Sequence, residues 1–231
     1  MTSIAANLQA VRARIAAACV AAGRTAESVQ LLAVSKTWPA ASVREAVAAG
    51  QRAFGENYVQ EAADKAAELA DLGLEWHFIG PLQSNKTRLV AENFAWVHSV
   101  DRLKIAERLA TQRPVALPPL NVCLQVNVSG EASKSGCAPE QGVALAAAIG
   151  ALRGLRLRGL MAIPEATADI VRQRRQFALL RQTLERINAE LDFGLDTLSM
   201  GMSDDLEAAI MEGATIVRIG TAIFGKRDYA T

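Results

Sequence analysis

Between residues 30 and 220 the chain repeats one pattern: a short apolar run, then a segment with helical periodicity. The apolar runs fall at 31–35, 53–55, 76–79, 96–100, 121–128, 157–163, 197–200 and 216–219. Helices are expected between them at 40–49, 59–69, 84–92, 102–110, 140–152, 170–191 and 204–211, with a short segment after the last run. Ser84 and Asp101 are placed to cap two of these helices. Parallel strands need crossover connections, and helices supply them, so the alternation implies α/β architecture with a parallel sheet. Eight units in 231 residues suit a closed (β/α)8 TIM-type barrel forming a single domain over 1–231. Periodicity alone does not demonstrate closure, so an open doubly wound sheet is the alternative.

An extra helix is expected within 1–23. Ile4, Leu8, Val11, Ile15 and Ala18 recur at helical spacing, and Arg12 and Arg14 interrupt what would otherwise be the apolar core of a signal peptide. No apolar run in the sequence approaches membrane-spanning length. Lys and Arg total 25 against 24 Asp and Glu, which leaves no electrostatic footprint for nucleic acid or an anionic membrane. The three cysteines, Cys19, Cys123 and Cys137, form no CxxC pair, so neither a disulfide framework nor a zinc site is indicated. A soluble cytoplasmic protein is the expectation.

In such barrels chemistry sits at the carboxyl ends of the strands. The first run ends at Lys36, the second at Glu56 and Asn57, the third at Gly80-Pro81 followed by Gln83 and Asn85. The next three end near Ser99, Asn127 and Met161, the seventh at Ser199-Met200-Gly201-Met202-Ser203 and the eighth at Arg218-Ile219-Gly220-Thr221. Glycine N–H groups and hydroxyls after the last two strands are the parts of a phosphate site. Ser203, Gly220 and Thr221 supply them, although Ser203 alone could be a helix cap and Gly220 a turn residue. Asp204 and Asp205 would repel a phosphate and are expected to point away. A lysine and a phosphate site at one mouth suggest a phosphorylated carbonyl compound, either a sugar phosphate or pyridoxal 5′-phosphate (PLP). Arg218 facing the PLP pyridine nitrogen would donate to it and weaken the ring as an electron sink. His77 and His98 lie within strands and read as core or wall residues rather than bases. The polar loop 129–138 could cover the mouth.

These motifs are recognisable together. Ala33-Val34-Ser35-Lys36-Thr37, Phe54-Gly55-Glu56-Asn57-Tyr58-Val59-Gln60-Glu61 and Trp76-His77-Phe78-Ile79-Gly80-Pro81-Leu82-Gln83-Ser84-Asn85-Lys86 resemble the pyridoxal phosphate homeostasis proteins. So do Gly159-Leu160-Met161, Met200-Gly201-Met202-Ser203-Asp204-Asp205 and Val217-Arg218-Ile219-Gly220-Thr221. The resemblance implies the PLP-binding barrel of the alanine racemase N-terminal domain (PLP fold type III). It also implies PLP as a Schiff base on Lys36, its phosphate on Ser203, Gly220 and Thr221, Arg218 at the pyridine nitrogen, and Asn57 lining the pocket. It further implies a carrier without established turnover. Such a carrier would affect amino-acid and keto-acid balance and deliver PLP to PLP-dependent apoenzymes; a complete barrel, for its part, suits a monomer. The chain ends at Thr231, shortly after the phosphate loop, which leaves no room for a racemase's second domain and suggests an open pocket. The alternatives are a racemase-like PLP enzyme, for which Tyr58 is the one tyrosine near the mouth, and a Schiff-base aldolase.

Overall fold

A computed structural model describes residues 3–131 and 134–225. Its eight strands close into a parallel barrel in sequence order, which settles the choice against the open sheet. They are β1 (Gln30–Val34), β2 (Ala53–Glu56), β3 (Glu75–Phe78), β4 (Trp96–Val100), β5 (Leu120–Gln125), β6 (Leu155–Met161), β7 (Thr197–Ser199) and β8 (Ile216–Ile219). The barrel is sealed by β1 against β8, with Leu32 beside Arg218 and Ala33 beside Ile219.

The helices are α1 (Ile4–Ala21), α2 (Ala40–Ala48), α3 (Val59–Glu68), α4 (Thr87–Asn93), α5 (Leu103–Gln112), α6 (Gly142–Gly150), α7 (Ile170–Leu191), α8 (Leu206–Met211) and α9 (Thr221–Phe224). Two expected caps are absent. Ser84 opens a 3-10 turn instead, and its carbonyl accepts from Thr87 Oγ1 and Arg108 Nε. Asp101 lies one residue too early for α5 and pairs with Arg102. Strand β5 ends at Gln125, three residues before the apolar run does. There the chain folds back, with Asn127 N–H donating to Cys137 O and Cys137 N–H donating to Gln125 O.

Alternation along each strand divides the apolar residues into two sets. Outward side chains such as Ala33, Phe54, Phe78, Val97, Leu124, Leu160, Val217 and Ile219 join the helices in one continuous core. Inward ones form smaller clusters, Leu32, Val34, Ala53, Ile79 and Ile216 in one and Trp96, Cys123 and Met161 in another. His77 and His98 are wholly buried, and both rings lie against Trp96 of the inner cluster, as core or wall residues would.

Helix α1 is the one described helix whose length and hydropathy would suffice to cross a membrane, because alanines fill much of its outer face. It is docked on the barrel instead. Leu8, Val11, Ile15, Ala18 and Cys19 form a buried stripe, and Arg14 pairs with Glu207 of α8 at 2.9 Å.

Candidate functional site

Lys36 follows β1 directly. Leu32 and Val34 face the barrel interior, so the two-residue period puts Lys36 on that same face at the mouth, where it is half-buried. The next residue, Thr37, has φ of 66°, a left-handed conformation that costs a β-branched residue about 1–3 kcal/mol. Its N–H donates to Glu61 Oε1 at 2.5 Å, and Trp38 N–H donates to Ser35 O, closing a tight turn around Lys36.

Beneath that turn lies a buried charge cluster. Lys65 Nζ donates to Glu56 Oε1 at 2.6 Å, to Glu61 Oε1 at 3.0 Å and to Ser35 O at 2.9 Å. Ser35 Oγ donates to the same Glu56 oxygen at 2.7 Å. Burial pushes the Glu56 carboxyl above its usual range, and the nearby Lys65 charge opposes the shift. Glu56 therefore does not reach the mouth, as its place at the end of the second apolar run suggested. Gly55 faces inward against Leu32 and Ile79, so Glu56 faces out toward α3. Lys65 carried no functional signal in the sequence. Its spacing from Ala62 and Leu69, both fully buried, marks the inner face of the helix.

The loops after β7 and β8 meet. Ala222 N–H donates to Ser203 Oγ at 3.4 Å, which brings Ser203 to the turn that begins at Gly220 and Thr221. Ser203 is not the cap of α8, because Asp205 occupies that position. From behind, α1 supports both loops: Arg14 donates to Ser203 O at 3.1 Å and Asn7 Nδ2 to Ile223 O at 2.8 Å. Asp204 is exposed, whereas Asp205 accepts from Met202 N–H at 2.5 Å and folds back on its own loop. Burial raises the Asp205 carboxyl, partly countered by that hydrogen bond and by the Arg218 charge.

The lysine turn and the Gly220 turn are also joined. A Cβ on Gly220 would lie 3.2 Å from Val34 O, so the last turn packs on the end of β1. Trp38 and Phe224 stack with centroids 5.9 Å apart. Arg218 is buried inside the barrel one register step below. Its Nη1 donates to Ser199 Oγ at 2.8 Å and its Nη2 to Ala162 O at 2.9 Å. Burial pulls the Arg218 guanidinium down to about 10, so it remains charged near neutrality.

Asn57 lies on the loop after β2, the strand that pairs directly with β1. A Cβ on Gly80 would stand 2.2 Å from Asn57 O, so only glycine lets the two loops approach this closely. Asn57 Oδ1 is buried without a hydrogen-bond partner, which marks it as an acceptor awaiting a ligand or water. Asn127, by contrast, is committed to its own loop. Its Nδ2 donates to Glu131 O at 2.8 Å, and its Oδ1 accepts from Ser129 and Gly130 N–H. Tyr58 is 54% exposed. The three cysteines are buried and unpaired, and burial lifts the Cys123 thiol to about 12. Among the described residues no group of His, Cys, Asp or Glu side chains is arranged to hold a metal ion.

Residues 3–228 match the family model for the alanine racemase N-terminal domain. A pyridoxal phosphate homeostasis protein of Pseudomonas aeruginosa is 70% identical, over 99% of this chain and 98% of its own. PipY from Synechococcus elongatus, solved with PLP bound, superimposes with a TM-score of 0.84 at 40% identity, covering 96% of this chain and all of PipY. The alanine racemase of Corynebacterium glutamicum shares the fold alone, with a TM-score of 0.70 at 17% identity over 95% of this chain and 62% of the racemase. The chain belongs to the pyridoxal phosphate homeostasis protein family, built on the alanine racemase N-terminal domain.

Proposed function

We propose that the barrel mouth binds PLP and that the protein holds and releases this cofactor rather than turning over a substrate. The observation that carries this reading is the junction of the Lys36 turn with the Gly220 turn across the β1–β8 seam, with Arg218 buried inside the barrel beneath it. When bound, PLP supplies an aldehyde that an amine can hold covalently and a ring that withdraws electrons. In this reading Lys36 Nζ makes the covalent attachment. Ser203, Gly220 and Thr221 bind the phosphate through a hydroxyl and backbone N–H groups. Arg218 donates to the pyridine nitrogen, and Asn57 offers its unpartnered Oδ1 to a polar group of the ligand. An arginine in that position disfavours a protonated ring, which suits storage better than carbanion chemistry.

Storage also requires reversible release, so the recipients would be PLP-dependent apoenzymes sharing the cytoplasm. The protein would act as a single-domain monomer that leaves the mouth accessible.

The test is a visible absorption spectrum of the purified protein with PLP, before and after borohydride, followed by peptide mapping. A yellow protein that bleaches with the adduct on Lys36, and a Lys36→Ala variant that yields no adduct, are the expected results. A protein that stays colourless with PLP present would overturn the reading. An adduct on Lys86 or Lys134 would move the attachment point. Exchange of an amino acid's α-proton in deuterated water, at rates above those of free PLP, would overturn the carrier assignment.

A further inference from the structure

Arg218 stands at one end of a line of hydrogen bonds that crosses the barrel interior. Arg218 Nη1 lies 2.8 Å from Ser199 Oγ, and Ser199 Oγ lies 2.7 Å from His98 Nδ1. His98 Nε2 lies 2.9 Å from His77 Nδ1, and His77 Nε2 lies 2.7 Å from Glu75 Oε1. Ser199, His98 and His77 are fully buried. Glu75, the first residue of β3, is 43% exposed at the opposite mouth, where Gln30 Nε2 donates to it at 3.1 Å.

The two ends determine where every proton lies. Guanidinium N–H groups only donate, and an ionised carboxylate only accepts. The hydrogen bond from His77 holds the Glu75 carboxyl below its usual range, so Glu75 is ionised at neutral pH. His77 must then carry its proton on Nε2. Burial keeps His77 neutral, against the pull of Glu75, which leaves its Nδ1 as an acceptor. His98 must donate from Nε2, so its Nδ1 is also an acceptor. Ser199 O–H fills that acceptor, and the Ser199 oxygen lone pair receives Arg218. Four links thus use four protons, with none missing and none spare.

The reverse arrangement fails the same count. With His77 as imidazolium, His98 would donate from Nδ1. Ser199 would then accept from both neighbours and its own proton would need a third partner. Burial, together with the charges of His77 and Arg218, also holds His98 far below the usual imidazole range. The other charged and titratable groups around this line are Asp205 and Cys123 near Arg218, and Arg158 and Asp196 at the far mouth.

We propose that Ser199, His98, His77 and Glu75 are positioning residues for Arg218. They form a one-way hydrogen-bond chain, running from the guanidinium to a carboxylate at the opposite mouth, that fixes the arginine where the cofactor ring would meet it. Its functional meaning rests on the proposed PLP site, whereas its geometry belongs to the barrel alone. Aligned donors polarise one another, so the chain holds Arg218 more firmly than its single bond to Ser199 would. Anchoring two of the five guanidinium N–H groups leaves donors for a ligand atom.

The first test needs no cofactor. Long-range 1H–15N spectra of the imidazoles in the PLP-free protein should show both His77 and His98 protonated at Nε2 and unchanged from about pH 7 to pH 8. Either ring found as the Nδ1–H form or as imidazolium in that range would overturn the chain.

The second test is PLP titration of Glu75→Ala and Glu75→Gln, with the visible band followed against pH. Glu75→Ala should weaken PLP binding about tenfold and shift the pH midpoint of the bound-cofactor band, the scale of one lost charge-assisted hydrogen bond. Glu75→Gln, which keeps an acceptor oxygen, should recover most of the affinity but not the midpoint. Unchanged affinity and midpoint in a folded Glu75→Ala variant would overturn the coupling while leaving the PLP site intact. Failure of the parent protein to bind PLP would instead remove the functional reading, and the imidazole spectra would still judge the chain.

Discussion

Two buried polar systems flank the barrel mouth, and they are built differently. The Ser35–Glu56–Lys65 cluster lies outside the wall, where one lysine is held between two carboxylates. The line from Arg218 to Glu75 lies inside it and separates its opposite charges by three neutral side chains. The first fixes backbone, because Lys65 grips Ser35 O and Glu61 holds the Thr37 N–H on either side of Lys36. The second fixes a side chain. Short contacts between full charges suit a turn whose strain must be offset on the spot, whereas a relay of neutral groups can carry orientation over a longer distance without placing a second charge beside the arginine.

This contrast predicts unequal costs. The largest belongs to Lys65→Ala, which leaves Glu56 buried without its cation and should destabilise the protein by about 3–5 kcal/mol in urea unfolding. A loss under ~1 kcal/mol would show that the cluster is not a structural clamp. Ser199→Ala comes next. It strands one donor of Arg218 and one acceptor of His98, with an expected cost of about 1–3 kcal/mol and weaker PLP binding. If stability falls but PLP binding does not, the interior line serves the fold alone.

The smallest effects are in pH dependence, and their signs differ. Glu75 has a lowered pKa in the fold, so its contribution is complete above the ordinary carboxylate range and is lost as pH falls through the folded value. Glu56 has a raised pKa, so its folded form favours the proton, and stability declines as pH rises from the ordinary value through the folded one. Unfolding curves of Glu75→Gln and Glu56→Gln, compared with the parent from about pH 2 to pH 7, should therefore depart in opposite directions, Glu75 below the ordinary carboxylate value and Glu56 above it. Departures of the same sign would mean that the two glutamates share one electrostatic environment.

Much of the frame was legible in the sequence. The expected bounds of β4, α7 and β8 coincide with the observed ones, and the eight-fold alternation implied a parallel sheet that the structure shows to be closed. The apolar run at 121–128 outlasts the strand because Val126 and Val128 still enter the main core while the backbone at Val126 bridges to Cys137, a return that no local pattern announces. Lys36, Ser203, Gly220, Thr221, Arg218 and Asn57 were placed by strand-end logic and by resemblance, and the structure locates all six at or just below one mouth. The interior line was not legible. Ser199 and His98 are 101 residues apart, and only barrel closure puts them in contact. Glu75 sits two residues before His77, a spacing that places both on one face of a strand, but alternation does not reveal which of two faces is the lumen.

The seam between β1 and β8 has a consequence for synthesis. Lys36 emerges early from the ribosome, but its neighbours across the seam lie about 180 residues later in the chain. Until β8 arrives, β1 and β7 are open edges with unpaired backbone groups, and the arginine and the last turn of the mouth are not yet in place. A nascent chain therefore carries Lys36 without the neighbouring turn that completes the mouth. Competence to hold a ligand switches on in one late step, and it reports that the whole barrel has closed.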